Sequence, residues 1–354
     1  MKINSLTCKN FRNIEEINII PCKEMNVICG ENAQGKTNII ESIWLFTGAK
    51  SFRGAKDNEF IKFGTEKAVI DLEFESFGVE NEAQIIIDSQ KKAILNQKPL
   101  KSTSLLAGNF NAIVFSPTDL SLVKDGPSAR RKFLDIAIGQ LKPSYINLLR
   151  DYIRAVTQRN KIIKEYKFDS TLSIMLDVFE EEIAEKGIKI IKERKEYTEK
   201  LKTFLPLIYE GISSGKEKLE VNYICSCKEE KFREELLKNR KEDMYSGVTS
   251  IGPHRDDLDF KINNISLRSF GSQGQKRSVA LALKLAEAEI IKKEVGECPV
   301  ILLDDVMSEL DVNRQNFVLN HIKGMQSFLT CCEDFMLKSL QKGEKFTIYN
   351  GRKL

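Results

Sequence analysis

The stretch Gly30-Glu31-Asn32-Ala33-Gln34-Gly35-Lys36-Thr37 fits the pattern G-x-x-x-x-G-K-[ST]. It stands between a short apolar run, residues 25–29, and an apolar pattern with helical spacing over residues 37–46. Glycines let such a loop curl so that its N–H groups point at phosphate oxygens, and the helix that follows adds the positive end of its dipole. In this pattern Lys36 reaches the β- and γ-phosphates and Thr37 ligates Mg²⁺. The stretch therefore predicts a nucleotide site.

A second element with matching chemistry lies far along the chain. Residues 300–303 are all apolar and predict a buried strand, which leads directly into Asp304 and Asp305. At the end of such a strand Asp304 is suited to hold Mg²⁺, directly or through water. Asp305 is suited to orient or deprotonate the attacking water. Lys36, Asp304 and Asp305 are thus the predicted catalytic residues, and the long interval between the two motifs implies a large insertion.

The hydrophobic pattern predicts an α/β fold with inserted helices. Residues 67–76 alternate apolar and polar side chains, as a half-buried strand does, and residues 83–87 look like its partner. Residues 127–213 change to helical spacing, which predicts two long helices forming an antiparallel arm, with Pro206 bending or ending the second. A compact bundle packed on the head is the alternative. We expect three parts: 1–125 and 241–354 as the two halves of a head, and 126–240 as the arm.

Composition narrows the class of protein. The 354 residues include 55 Lys and Arg against 51 Asp and Glu, so the net charge of +4 neither demands nor excludes nucleic acid. No apolar run approaches the ~20 residues that cross a bilayer. The N-terminus shows no signal-peptide pattern, and the eight cysteines are scattered without a C-x-x-C pair. We therefore expect a cytoplasmic protein with reduced thiols and no membrane partner.

A third motif precedes a predicted helix that begins near Ser272. Ser272-Gln273-Gly274-Gln275 combines a hydroxyl, backbone N–H groups and a helix N-terminus, which suits an anion, although a plain N-cap is the alternative. In its order and spacing before Asp304, this motif resembles the signature motif of the ABC ATPase superfamily. The stretch Ser308-Glu309-Leu310-Asp311 likewise resembles the D-loop of that superfamily.

Within that superfamily the chain resembles the RecF family of DNA-repair ATPases, which is related to SMC proteins. The resemblance spans nearly the whole chain and depends on the order of many short matches. These are residues 9–13, the phosphate loop with Asn38 and Glu41, and residues 50–53, 115–117, 126–135, 158–160, 252–258 and 272–275.

The resemblance implies an ABC-type head, a mixed β lobe plus an α/β core, with a short inserted helical arm. Two heads would close on two ATP molecules, so that the Ser272 loop of one subunit touches the γ-phosphate held by Lys36 of the other. Hydrolysis by Asp304 and Asp305 would release the homodimer. The implied nucleotide-binding residues are Arg12, Gly30, Glu31, Asn32, Ala33, Gln34, Gly35, Lys36, Thr37, Asn38, Ser272, Gly274 and Gln275, with Thr37 and Asp304 on Mg²⁺.

The same resemblance implies binding to duplex or gapped DNA in the ATP-loaded state, near the nucleoid. It also implies RecR, with RecO and RecA, as partners at gapped or stalled DNA. Two departures from ABC transporters point to slow, DNA-stimulated hydrolysis. Asp305 stands where transporters usually carry Glu, and the strand 327–330 leads to Cys331-Cys332-Glu333 without a switch His. His254 has family context, with a buried structural role favoured over a γ-phosphate sensor.

Clustered arginines are the candidates for DNA contact, because cationic side chains neutralise backbone phosphates. Arg150 and Arg154 are four positions apart and share a helix face. The alternative for each cluster is a solvated surface or intramolecular pairing. The candidates are Arg53, Arg130, Arg131, Arg150 and Arg154, with Arg159 and Lys161 nearby.

Two other classes share the phosphate loop and the signature. A transporter ATPase subunit does not suit the inserted helices of about ninety residues or the missing switch His. An SMC-like chromosome organiser needs coiled-coil arms of hundreds of residues, and the insertion here is far too short.

Overall fold

The computed structural model describes residues 1–166, 173–331 and 343–354. They form two compact units: residues 1–120, 211–214 and 278–354 in the first, and residues 121–210 and 215–277 in the second. The strands are β1 (Lys2–Phe11), β2 (Ile14–Ile19), β3 (Met25–Cys29), β4 (Ala68–Ser76), β5 (Val79–Ile87), β6 (Lys91–Leu95), β7 (Lys98–Leu100), β8 (Ala112–Phe115), β9 (Leu219–Ile224), β10 (Asp257–Ile262), β11 (Ile265–Ser266), β12 (Val300–Leu303), β13 (Ser327–Cys331), β14 (Glu344–Tyr349) and β15 (Arg352–Lys353). The α-helices are α1 (Lys36–Trp44), α2 (Ser121–Lys124), α3 (Pro127–Leu141), α4 (Pro143–Tyr166), α5 (Ser173–Ser213), α6 (Phe232–Lys238), α7 (Arg240–Ser246), α8 (Leu267–Phe270), α9 (Gln273–Val295) and α10 (Val312–His321).

A six-stranded sheet forms the core of the first unit. Its order is β15-β14-β3-β13-β12-β8, and every pair from β14 to β8 is parallel. All four residues of β12 are fully buried, because a parallel sheet is covered on both faces. The carboxyl ends of parallel strands meet at one edge, where open α/β sheets bind their ligands. This edge therefore brings Gly30, Asp304 and Cys331 together although they lie far apart in sequence.

The second sheet of this unit is an antiparallel lobe in the order β2-β1-β4-β5-β6-β7. The predicted pairing of 67–76 with 83–87 is confirmed, since β4 and β5 pair antiparallel over their whole lengths. Ala68, Ile70, Leu72 and Phe74 are buried at alternate positions along β4, which gives the period of two seen in the sequence.

In the second unit α4 and α5 run antiparallel, as predicted. Near the start of α4, the Tyr145 hydroxyl oxygen lies 3.2 Å from Nε of Arg194, whereas near its end Arg159 lies 2.8 Å from Glu180. Ascending positions on one helix thus meet descending positions on the other. At about 60 Å, α5 is the longest element described.

The structure decides two points about the insertion. Of the two alternatives for Pro206, bending or ending the helix, the second is wrong, because α5 continues to Ser213. The buried side chains Leu205, Ile208 and Tyr209 hold this turn in place, which offsets the hydrogen bond that proline lacks. Residues 241–277, expected in the C-terminal half of the head, cluster in the second unit because β10 pairs with β9 along six residues. Within the described ranges, every helix is too short or too polar to cross a membrane.

Candidate nucleotide site

The loop between β3 and α1 has the tight backbone that its glycines predict. A Cβ atom at Gly30 would stand 2.4 Å from the carbonyl oxygen of Ile348 on β14. Gly35 has a φ of 109°, and a Cβ there would stand 2.8 Å from Oδ1 of Asn13. Only glycine fits both positions without displacing neighbours. The loop is therefore held between the end of β14 and the β1–β2 turn.

Lys36 is the first residue of α1 and is almost fully buried. Its ammonium group donates to the carbonyl oxygens of Gly30 at 2.6 Å and Glu31 at 3.0 Å. The cleft over the loop therefore has a buried cation at its base, a helix N-terminus and backbone N–H groups, which together fit a polyphosphate. It is lined by Asn32, Ala33, Gln34, Gly35, Lys36, Thr37, Asn38, Arg53 and Asp305.

Thr37 and Asp304 meet at this edge, as predicted for a magnesium site. The Thr37 hydroxyl donates to Oδ1 of Asp304 at 2.8 Å. Burial raises the pKa of the Asp304 carboxyl, an effect that the Thr37 hydrogen bond opposes and the charge of Asp305 reinforces. Hydroxyl and carboxylate oxygens are the ligands that Mg²⁺ prefers, so this pair fits the ion.

Asp305 has an unusual backbone conformation beside the cleft. Its φ is 52°, which is costly for a residue with a side chain and is typical of functional sites. Its N–H donates to the Thr330 hydroxyl at 2.9 Å, and the same hydroxyl lies 3.1 Å from Oδ1 of Asp304 and 3.2 Å from Oδ1 of Asp305. Sequence reasoning missed Thr330, although it is the last residue of the strand 327–330 that was searched for a switch His.

Arg12 and Arg53 both approach Glu41 of α1, which is fully buried. Arg12 pairs with it at 2.7 Å and lies over the Phe60 ring at 5.0 Å. Arg53 donates to Oδ1 of Asn38 at 3.1 Å and lines the cleft. Arg53 was predicted to contact DNA, and its position at the nucleotide cleft favours a role at the phosphates instead.

Two further side chains at the loop were missed as site residues. Asn13 donates to the carbonyl oxygen of Ala33 at 3.1 Å and accepts from Asn38 at 2.7 Å. Gln34 accepts two hydrogen bonds from the β14–β15 turn. Its side-chain oxygen accepts the N–H of Asn350, and its backbone carbonyl oxygen accepts the N–H of Gly351 at 3.0 Å. The motif stretch 9–13 was the available signal for Asn13, whereas the C-terminal turn carries no recognisable motif.

Ser272 and Gln275 form a reciprocal capping box at the start of α9. The N–H of Ser272 donates to Oε1 of Gln275 at 2.8 Å, and the N–H of Gln275 donates to the Ser272 hydroxyl at 3.1 Å. Gln275 also donates to Oε1 of Glu217 at 2.7 Å. The N-cap alternative is thus correct as local structure, and Ser272 is exposed.

The arginines predicted to contact DNA separate into buried and exposed side chains. Arg130 is buried in an ion pair with Asp257 at 2.6 Å, and Arg159 is buried between Glu180 and Asp243. These two are corrected to structural residues, because paired, desolvated guanidinium groups do not reach a phosphate backbone. Arg131 is half-buried and donates to the carbonyl oxygen of Asp256, whereas Arg150 and Arg154 are exposed.

His254 is hydrogen-bonded on both ring nitrogens within the second unit. Its Nδ1 lies 2.7 Å from the Tyr152 hydroxyl and its Nε2 lies 3.0 Å from the carbonyl oxygen of Thr249. A carbonyl only accepts, so Nε2 carries the proton and Nδ1 accepts from Tyr152. Burial lowers the pKa of His254, which keeps the ring neutral. This arrangement supports the structural role.

Comparison with known proteins agrees with this geometry. The family model "RecF/RecN/SMC N terminal domain" matches residues 2–352. The DNA replication and repair protein RecF of Agathobacter rectalis is 39% identical over 360 residues, which cover 99% of this chain and 98% of that protein. The structure of the recombination mediator protein RecF-ATP in the RecFOR pathway superposes with a TM-score of 0.92 at 38% identity, covering 100% of this chain and 97% of that one. A Smc head domain of Pyrococcus furiosus, at 17% identity and a TM-score of 0.56, shares the fold.

Proposed function

The chain belongs to the RecF/RecN/SMC N-terminal domain family, and we propose that it is a RecF-type, ATP-gated DNA-binding protein of recombinational repair and replication-fork maintenance. The predicted fold class, an ABC-type P-loop ATPase head with inserted helices, is confirmed by these relatives. The observation that carries the proposal is the meeting of the phosphate loop, Asp304, Asp305 and Thr330 at one sheet edge.

The cleft residues have separate tasks in ATP binding and hydrolysis. Lys36 exchanges its two carbonyl contacts for phosphate oxygens, and Thr37 with Asp304 would hold Mg²⁺, which neutralises phosphate charge when bound. Asp305 orients the attacking water from the edge of the cleft. Its shorter side chain, compared with Glu, supports slow turnover suited to a timed switch.

Closure of a homodimer would complete this site. Ser272 is exposed at the N-terminus of α9, where its hydroxyl and the helix dipole suit the γ-phosphate bound by the other subunit. ATP binding then closes the dimer on DNA, hydrolysis releases it, and RecR with RecO and RecA are the partners expected of a RecF-type protein. The exposed Arg150 and Arg154 are the side chains we assign to DNA phosphates.

The test is the affinity of the purified protein for a gapped DNA duplex. Fluorescence anisotropy would be measured with ATP, with ADP and without nucleotide, at two salt concentrations. We expect tight, salt-sensitive binding with ATP alone, since phosphate contacts release counterions. Equal binding in all three states would contradict gating by ATP. Absence of binding in every state would contradict DNA as the direct ligand.

Two variants separate nucleotide binding from dimer closure. Lys36→Ala should abolish ATP binding and with it DNA binding. Ser272→Arg should leave ATP binding to the monomer intact and block the ATP-dependent dimer, as read by light scattering. Persistent dimerisation of Ser272→Arg with ATP would contradict the composite site.

A further inference from the structure

Two thiols stand side by side directly behind the nucleotide loop. Cys29 is the last residue of β3 and Cys331 the last of β13, and they are register partners on these adjacent parallel strands. Their sulfur atoms lie 3.2 Å apart. Cys29 is almost fully buried, whereas Cys331 is partly exposed. A small solute can therefore reach the Cys331 thiol, and the Cys29 thiol lies behind it. The site described above uses neither thiol.

The geometry of the pair suits a disulfide. Neighbouring strands are about 4.8 Å apart, within the range of about 4.4–6.8 Å between the Cα atoms of bridged cysteines. To bond, the sulfurs must approach from 3.2 Å to about 2.05 Å, a movement of about 1 Å. Side-chain rotation with a small strand shift provides this without unfolding the sheet.

We propose that Cys29 and Cys331 form a reversible disulfide that turns off the ATP site. The effect on ATP binding and hydrolysis rests on the proposed function, whereas the formation of the disulfide does not. A hydroperoxide oxidises the Cys331 thiolate to a sulfenic acid, and the peroxide is reduced to an alcohol or water. The Cys29 sulfur then attacks the Cys331 sulfur and hydroxide leaves, taking up the Cys29 proton as water. A thiol reductant reverses the bond by exchange.

The bond would act on the ATP site from both strands. Cys29 directly precedes Gly30, whose backbone is packed so closely against Ile348 that a Cβ atom would not fit, so a shift of this strand is passed to the phosphate loop. Cys331 directly follows Thr330, whose hydroxyl holds Asp304 and Asp305. Misplacing catalytic groups by about 1 Å can cost a rate factor of about a hundred. Oxidation is therefore expected to slow hydrolysis by about tenfold to a hundredfold and to weaken ATP binding.

The experiment treats the reduced, full-length protein with hydrogen peroxide. Peptide mass mapping is expected to find a Cys29–Cys331 cross-link that dithiothreitol removes. ATP hydrolysis and the binding of a fluorescent ATP analogue are expected to fall with the cross-link and return with reduction. Cys29→Ser and Cys331→Ser should each lose the cross-link and keep their activity in peroxide. Using both variants guards against one of them folding poorly.

Cys298→Ser is the matched control, because this thiol is also partly exposed in the first unit and should leave the peroxide response unchanged. Absence of the cross-link, or peroxide sensitivity that persists in Cys331→Ser, overturns the redox site. A cross-link that leaves ATP binding and hydrolysis unchanged overturns its regulatory consequence. If the reduced protein does not bind ATP, the proposed function fails, while the mapping still decides whether the disulfide forms.

Discussion

The Thr330 hydroxyl connects the two acidic residues of the nucleotide site. It accepts the backbone N–H of Asp305 and lies within 3.2 Å of a carboxylate oxygen on both Asp304 and Asp305. A hydroxyl has one proton to donate, so it can satisfy the two carboxylates only in turn. It also holds the left-handed backbone of Asp305 in place. Thr330 is thus a neutral positioning residue between the two carboxylates.

Replacing Thr330 by Val tests that role, because the side chains have nearly the same shape and only the hydroxyl is lost. Hydrogen bonds to charged groups contribute about 1.5–3 kcal/mol, so ATP hydrolysis should fall by about tenfold to a hundredfold. ATP binding should change little, since Lys36 and the loop are untouched. Steady-state hydrolysis and nucleotide titration check this. Thr65→Val, which removes a surface hydroxyl bonded to Lys62, is the control, and an unchanged rate in Thr330→Val would contradict the assignment.

His254 gives the second unit a predictable response to acid. Burial holds the folded pKa below the ordinary value of about 6.5, so the unfolded chain binds a proton that the folded chain refuses. The contribution of His254 to stability is therefore complete above about pH 6.5 and is lost as the pH falls below it. We expect the melting temperature of His254→Gln to decline less between pH 7 and pH 5 than that of the parent. Parallel declines would show that His254 does not titrate in this range.

Buried ion pairs connect the helices α4, α5 and α7. Arg159 of α4 lies 2.8 Å from Glu180 of α5 and 2.7 Å from Asp243 near the centre of α7, and all three side chains are fully buried or nearly so. Apolar spacing brings the helices together, and this cluster specifies their register, because each charge is paired only in one alignment. A glycine on α5 has a similar role, since a Cβ at Gly187 would stand 2.3 Å from the Phe232 ring of α6.

Arg159→Ala and Arg154→Ala are a matched pair on α4 that separates structure from DNA contact. Removing Arg159 leaves the buried Asp243 without its ion-pair partner and leaves Glu180 with Arg240 alone, which should destabilise the protein by about 3–5 kcal/mol. Removing the exposed Arg154 should change stability by less than about 0.5 kcal/mol while lowering DNA affinity and its salt dependence. Thermal melts and anisotropy titrations at two salt concentrations check both. Equal stability of the two variants would contradict the structural role of Arg159.

Residues near the C-terminus contact the nucleotide loop within the first unit. The strand β14 pairs with β3, and the turn after it donates the N–H groups of Asn350 and Gly351 to Gln34. Gly351 has a φ of 71°, and a Cβ there would stand 2.4 Å from the carbonyl oxygen of Asn13. The last residues of the sequence therefore support the first motif.

Removing residues 350–354 should weaken ATP binding while the chain still folds. Two hydrogen bonds to Gln34 are lost, each contributing about 0.5–1.5 kcal/mol, so the dissociation constant should rise by about tenfold. Isothermal titration of the truncated and full-length proteins with ATP measures this. Removal of the exposed Leu354 alone is the control and should have little effect. Unchanged affinity in the longer truncation would show that the loop does not need this support.

Local sequence patterns predicted the phosphate loop, the acidic residues at a strand end and the class of fold. The pattern G-x-x-x-x-G-K-[ST] and the apolar strand before Asp304 depend on local geometry, a tight turn and a strand end, which residue types specify directly. Helical spacing likewise predicted the antiparallel pairing of α4 and α5. The two polar or small residues that interrupt this spacing, Gly187 and Arg194, carried no sequence signal. In the structure Gly187 packs against the Phe232 ring, and Arg194 forms an ion pair with Asp135.

Residues of the same type differ in their roles because tertiary packing places them in different surroundings. Arg130 and Arg154 are the same residue type in helical patterns, but one is buried against Asp257 and the other is exposed. Thr330, Asn350 and the Cys29–Cys331 pair acquire their roles from strand order, which places distant segments at one sheet edge. Burial and non-local pairing depend on the packing of the whole chain, so local sequence cannot specify them.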